Sequence, residues 1–168
     1  MLADWATALQ ECQADDAVAV VIAAKEGGKI IVSDFFHYYL DYPLGMTPLK
    51  KTYMYEPIPC ALAENMKKNI IGVEAPIWTE FINDIDKMSM MCFPRLAAVA
   101  ETGWTYKENK DYKGFTHRLS YVIRMIEKIG LKYPDASIWD PSFFKSVVQV
   151  TKFAYNMYNK ETLKSRKD

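Results

Sequence analysis

Two pairs of residues have the types and spacing to act on a ligand: Tyr39 with Asp41, and Trp78 with Glu80. Each joins an aromatic ring to a carboxylate two positions on. On an extended backbone, residues i and i+2 project to the same side. An indole offers a flat apolar face to C–H groups, and a carboxylate accepts hydrogen bonds from hydroxyls. Together they suit a sugar ring. A plainer reading stands beside each pair. Tyr39 packs and Asp41 caps a turn ahead of Pro43, while Trp78 is a core indole and Glu80 sits at a helix N-terminus. His37 and His117 lie too far apart in context to suggest a metal site or a triad. Arg95 reads as an anchor for a helix start, and Met88, Met90 and Met91 read as core filling. No phosphate loop, nucleophile elbow or zinc motif occurs, and no cofactor is expected.

The elements that must hold these residues follow from composition and pattern. The chain has 168 residues, half of them hydrophobic, which is enough for one cored domain and argues against disorder. Twenty-one basic residues balance 21 acidic ones, so no basic cluster points to nucleic acid. Aromatics reach 14%, including 11 Tyr and 4 Trp, which suits either a large aromatic core or a carbohydrate site. Cys12, Cys60 and Cys92 are odd in number and widely spaced, and read as reduced thiols of a cytoplasmic protein. There is no signal peptide and no membrane partner is expected, since the longest aliphatic run falls far short of the ~20 residues a bilayer requires. The absent leader is equally consistent with a natural gene that begins earlier.

Residues 2–12 have helical spacing. Residues 17–22 form a continuous apolar run and read as a strand buried on both faces. Residues 29–33 read as a second strand, and 70–77 as a third. The first two are joined by a link far shorter than the ~10–12 residues of a parallel crossover. Residues 34–59, with four prolines and dense aromatics, read as a long ordered loop. Short helices are expected over 61–68 and 79–91, and a buried helix over 93–104. Residues 111–129 give the clearest amphipathic helix, with Phe115, Leu119, Val122, Ile123, Ile126 and Ile129 on one face and Gly130 as its stop. A last helix covers 143–158. Strands alternating with helices mean α/β with a parallel sheet.

Four stretches in order, YYLDYP at 38–43, TYMYEPIP at 52–59, GVEAPIWTEFI at 72–82 and FPRLAAVAETGW at 93–104, resemble the family 20 glycoside hydrolases, the β-N-acetylhexosaminidases. The resemblance implies the C-terminal portion of a (β/α)8 barrel, about three parallel strands with helices over residues 1–131, while residues 132–168 carry none of its motifs and read as a C-terminal helical tail. It implies removal of terminal N-acetylglucosamine or N-acetylgalactosamine by substrate-assisted, retaining hydrolysis. Tyr39 would hydrogen-bond the acetamido oxygen. Asp41 and Glu80 would bind sugar hydroxyls. Trp78 would stack under the ring, and Trp5 would form a further wall.

The family's adjacent Asp-Glu pair, which orients the acetamido group and protonates the leaving oxygen, has no counterpart here, because no Asp is followed by Glu. A family tryptophan after the strand matched to 17–22 also has no counterpart in VVIAAKEGG. The chain is therefore expected to hold a substrate-binding half-site and to be inactive alone. It would join an N-terminal barrel half or self-associate. The alternative is a non-catalytic carbohydrate-binding or assembly module.

Overall fold

A computed structural model describes residues 16–165. Its first element is helix α1, Asp16–Lys25, where the apolar run suggested a strand. A short apolar run has no periodicity of its own to separate strand from buried helix. The alanine content favours the helix, and burial of Val21 and Ala24 with exposure of Val18 and Ile22 gives it one packed face. The helix ends in a Schellman arrangement. Gly27, at φ 81°, donates to Ala24 O at 3.2 Å, and Gly28 N donates to Ala23 O at 2.9 Å. The short link is thus an ordinary helix-to-strand turn, and no strand tip exists there to carry a tryptophan.

Strand β1, Ile30–Val32, follows, then a one-turn helix α2, Phe35–Tyr38, and helix α3, Leu49–Met54. Both helices lie in the stretch expected to be loop. Asp34 caps α2, accepting from Phe36 N at 2.9 Å, while Pro48 precedes α3, a position where its missing N–H costs nothing. A 3-10 turn, Glu64–Asn69, leads into β2, Ile70–Val73. β1 and β2 pair in parallel, Ile30 with Ile70 and Val32 with Val73. They are the two strands among the described residues, where three were expected.

Helix α4 is Ile85–Cys92, α5 is Arg95–Trp104, α6 is Tyr112–Lys128 and α7 is Phe143–Ser165. The amphipathic helix forms as expected. Phe115, Leu119 and Ile126 are buried, but Ile129 falls at the C-cap and is exposed. Phe115 and Leu119 pack with Leu49, Tyr53 and Ala98, joining α3, α5 and α6 in one core. A second cluster, Val32, Tyr38 and Val99, seats β1 on α5. A third, Val21, Ala24 and Leu62, seats α1. Cys60 is disulfide-bonded, contrary to the reduced-thiol reading, whereas Cys92 is free. Wide sequence spacing says nothing of spatial proximity, which is what a disulfide needs. No helix among the described residues is long and apolar enough to cross a membrane.

Candidate functional site

Because β1 and β2 run parallel, their C-terminal ends lie together, and so do the loops that leave them. Two hydrogen bonds keep those loops side by side beyond the strands: Glu74 N to Val32 O at 3.0 Å and Leu40 N to Pro76 O at 2.8 Å. Tyr39 and Asp41 therefore meet the segment that carries Trp78 and Glu80. The two pairs do not lie on the alternating faces of a strand. β2 ends at Val73, Trp78 is extended at φ −93° and ψ 134°, and Glu80 lies in a 3-10 turn, Thr79–Phe81. Tyr39 is extended, closing α2, and Asp41 follows in a turn. Backbone pairing between the loops, rather than strand pleating, brings the four residues to one end of the sheet.

Asp41 is the buried member of the group, 8% exposed, and its Oδ1 has no hydrogen-bond partner among the described residues. Burial pushes its carboxyl above the usual aspartate range. Its own backbone N–H, the Arg95 charge and the Trp78 backbone N–H oppose that rise, and the Glu80 charge adds to it. Trp78 is 62% exposed, so it is not a core indole. Glu80 is exposed as well. Tyr39 is half-buried in a group of rings, 5.1 Å from Phe35 and stacked on Tyr42 at 6.0 Å. Trp5 lies outside the described residues.

Arg95 holds the loop that bears Tyr39 and Asp41. Its guanidinium is fully buried. It donates to Leu40 O at 2.6 Å and to Tyr42 O at 2.9 Å. It also donates to Met91 O at 2.6 Å and to the Thr47 hydroxyl. Burial lowers its pKa to about 10, against the Cys92 and Asp41 charges, so it stays protonated at neutral pH. The sequence reading of an anchor was right in kind, but the anchored segment is the 40–47 loop as well as the helix start. His37 is satisfied, its Nδ1 2.6 Å from Asp34 Oδ1 and its ring stacked on Tyr55 at 4.1 Å. Sequence reasoning missed Tyr42, which stacks on Tyr39, Phe81, which follows Glu80, and Phe153 and Gln149, which pack against Tyr42, Phe81 and Gly45 of the same loops. No local pattern could have found Phe153 and Gln149, because their contacts cross long stretches of chain, 104 positions for Gln149 with Gly45. Among the described residues no cluster of metal-ligating side chains occurs.

An open cleft of about 1350 Å3 lies elsewhere, lined by His37, Lys51, Tyr55, Ile70, Gly72 and Trp104, with none of the four site residues in its wall.

The family model for the glycosyl hydrolase family 20 catalytic domain matches residues 3–107. A β-N-acetylhexosaminidase of Cellulomonas fimi is 31% identical over 132 residues, covering 70% of this chain and 26% of that protein. A β-hexosaminidase of Porphyromonas gingivalis is 32% identical over 89 residues, covering 53% of this chain and 12% of that one. Among solved structures, the family 20 β-N-acetylhexosaminidase of Streptomyces coelicolor superposes with a TM-score of 0.64 at 29% identity, over 74% of this chain and 28% of that one. The Vibrio harveyi exo-β-N-acetylglucosaminidase, solved with N-acetylglucosamine, superposes with a TM-score of 0.63 at 29% identity, over 70% and 20%. The chain thus spans about a quarter or less of the two curated relatives.

Proposed function

The chain belongs to glycosyl hydrolase family 20, and we propose that it supplies the sugar-binding side of a β-N-acetylhexosaminidase site. The observation that carries this reading is Asp41. A buried acceptor left without a partner costs on the order of 1–3 kcal/mol, and this carboxyl lies by the backbone N–H of Trp78, the residue whose indole is exposed. A sugar hydroxyl supplies the missing donor while the indole meets the ring's C–H face. Glu80 accepts from further hydroxyls. Tyr39 donates to the acetamido oxygen, and Trp5 adds a wall.

In the proposed reaction that acetamido oxygen attacks the anomeric carbon as the glycosidic C–O bond breaks. That displacement inverts the anomeric carbon, and water then breaks the new C–O bond from the vacated face and regenerates the acetamido group, so the two inversions give net retention. The leaving oxygen needs a proton from a general acid. This chain has no Asp-Glu pair to provide it, so its residues bind and orient the sugar and do not protonate. The same fact favours a second reading, a carbohydrate-binding module that cuts no bond.

The sheet supports a barrel left incomplete within this chain. Ile31 and Ile71 are 54% and 58% exposed on a two-stranded parallel sheet. Parallel sheets are ordinarily covered on both faces, and a (β/α)8 barrel has eight strands. Ile70, Gly72 and Val73 of β2 line the open cleft, which suits a neighbouring strand from another barrel half or a second copy.

The test is hydrolysis of an aryl N-acetyl-β-glucosaminide by the chain and by Glu80→Gln, beside direct binding of N-acetylglucosamine. Saturable binding without turnover is expected. Turnover lost in Glu80→Gln would overturn the assignment of roles.

A further inference from the structure

The loops bearing the four site residues are tied by few backbone bonds, yet one side chain touches both. Phe153 of α7 lies edge-on to Tyr42 at 5.4 Å and 82°, and meets Phe81 at 5.3 Å and 63°. Tyr42 stacks on Tyr39 at 6.0 Å, with Phe35 packed on both rings at 5.1 and 4.9 Å. Phe81 directly follows Glu80. One turn back along α7, Gln149 Oε1 accepts from Gly45 N at 2.8 Å. One turn further back, the Ser146 backbone approaches so closely that a Cβ on Gly45 would lie 2.9 Å from its Cα. Residues 146, 149 and 153 share one helix face. That face docks, while Phe144, Val148 and Tyr155 of the same helix are exposed. The segment lies outside residues 3–107, which the family model matches.

We propose that Phe153 is a positioning residue, a ring wedged between the two loops that sets where Tyr39 stands relative to Trp78 and Glu80. Helix α7 thereby makes discrimination of the acetamido group depend on a segment beyond the family core. The proposal rests on the reading of Tyr39 as the acetamido donor. Edge-to-face rings prefer defined angles as well as distances, so Phe153 fixes Tyr42, and Tyr42 fixes the face of Tyr39 stacked on it. Loss of the wedge frees both loops together.

The test compares the full chain with Phe153→Ala, Phe153→Tyr and Gln149→Ala by amide exchange and by NMR titration with N-acetylglucosamine and glucose. In Phe153→Ala, exchange is expected to rise about tenfold across 39–45 and 79–82, the equivalent of 1.4 kcal/mol of local opening, while α5 and α6 exchange as before. N-acetylglucosamine affinity falls about tenfold and glucose affinity less than about twofold, since only the former uses Tyr39. Phe153→Tyr restores both. Gln149→Ala, which leaves the rings in place and removes only the bond to Gly45, is expected to loosen 39–45 alone, and Phe153→Leu serves if Phe153→Ala does not fold. In the Phe153 variants, loosening of a single loop or of neither overturns the proposal, as does equal weakening of both sugars. No sugar binding by the unmodified chain would overturn the role of Tyr39, and the exchange arm would still decide whether Phe153 couples the loops.

Discussion

Replacing Arg95 with lysine tests how the site loop is held. The guanidinium spreads its donors over Leu40 O, Tyr42 O and Met91 O, at 2.6, 2.9 and 2.6 Å, and over the Thr47 hydroxyl. A lysine ammonium keeps the charge but is compact and lacks the planar fork, so it cannot span carbonyls on two segments at once. At least two acceptors lose their partner. Hydrogen bonds to a charged group are worth about 1.5–3 kcal/mol each, and part of the loss is recovered by relaxation. A net cost of about 2–4 kcal/mol follows. For a chain of this size each kcal/mol lowers Tm by roughly 2–4 °C. The expected drop is therefore on the order of 5–15 °C, read by circular dichroism. Arg124→Lys is the control, because Arg124 is exposed and lies over the Tyr121 ring at 4.4 Å. Its expected change is within about 0.5 kcal/mol. An Arg95→Lys variant as stable as the control would refute the clamp.

Three further outcomes follow from the same structure. The Asp34 carboxyl feels burial, which raises its pKa, but the His37 hydrogen bond and charge, with hydrogen bonds from Tyr55 and the Phe36 N–H, together hold it below the usual aspartate range. A depressed folded-state pKa contributes stability above the unfolded value that is lost as pH falls through the folded one. Urea midpoints should therefore fall on acidification, and Asp34→Asn should flatten that slope; an unchanged slope contradicts the pairing. For Asp41 the sign reverses. Burial raises its pKa, so its ionised form is disfavoured in the folded chain and stability is lost as pH rises through the folded value. Asp41→Asn should then be at least as stable as the parent at neutral pH while sugar affinity falls, and equal loss of both would contradict the site reading. Leu119→Ala empties a buried core position and should cost about 2–5 kcal/mol in chemical denaturation; a cost under about 1 kcal/mol would contradict its place in the core.

The elements most legible in the sequence were those with a period. Helix α6 announced itself by Phe115, Leu119 and Ile126, and β2 by its aliphatic run before Gly72. Helix α1 was misread because DAVAVVIAAK is apolar throughout, and burial on one face appears only once Leu62 packs against Val21 and Ala24. Proline density hid α2 and α3, because Pro43, Pro48, Pro57 and Pro59 flank these helices rather than interrupt them. The site residues were legible as motif members, but their grouping depends on a parallel pair and on Leu40 N meeting Pro76 O. Arg95 was legible as an anchor, not as a clamp on carbonyls about fifty residues away. The docking of α7 left no local trace, since Gln149 and Gly45 are 104 positions apart.

The most direct test of the proposed sugar half-site is titration of N-acetylglucosamine into the chain and into Trp78→Ala, followed by NMR. Saturable binding on the order of millimolar, worth about 4 kcal/mol, is expected for the chain, with at least a tenfold loss in Trp78→Ala, equivalent to about 1.4 kcal/mol. Absence of saturation, or identical affinity in the two proteins, would contradict the account.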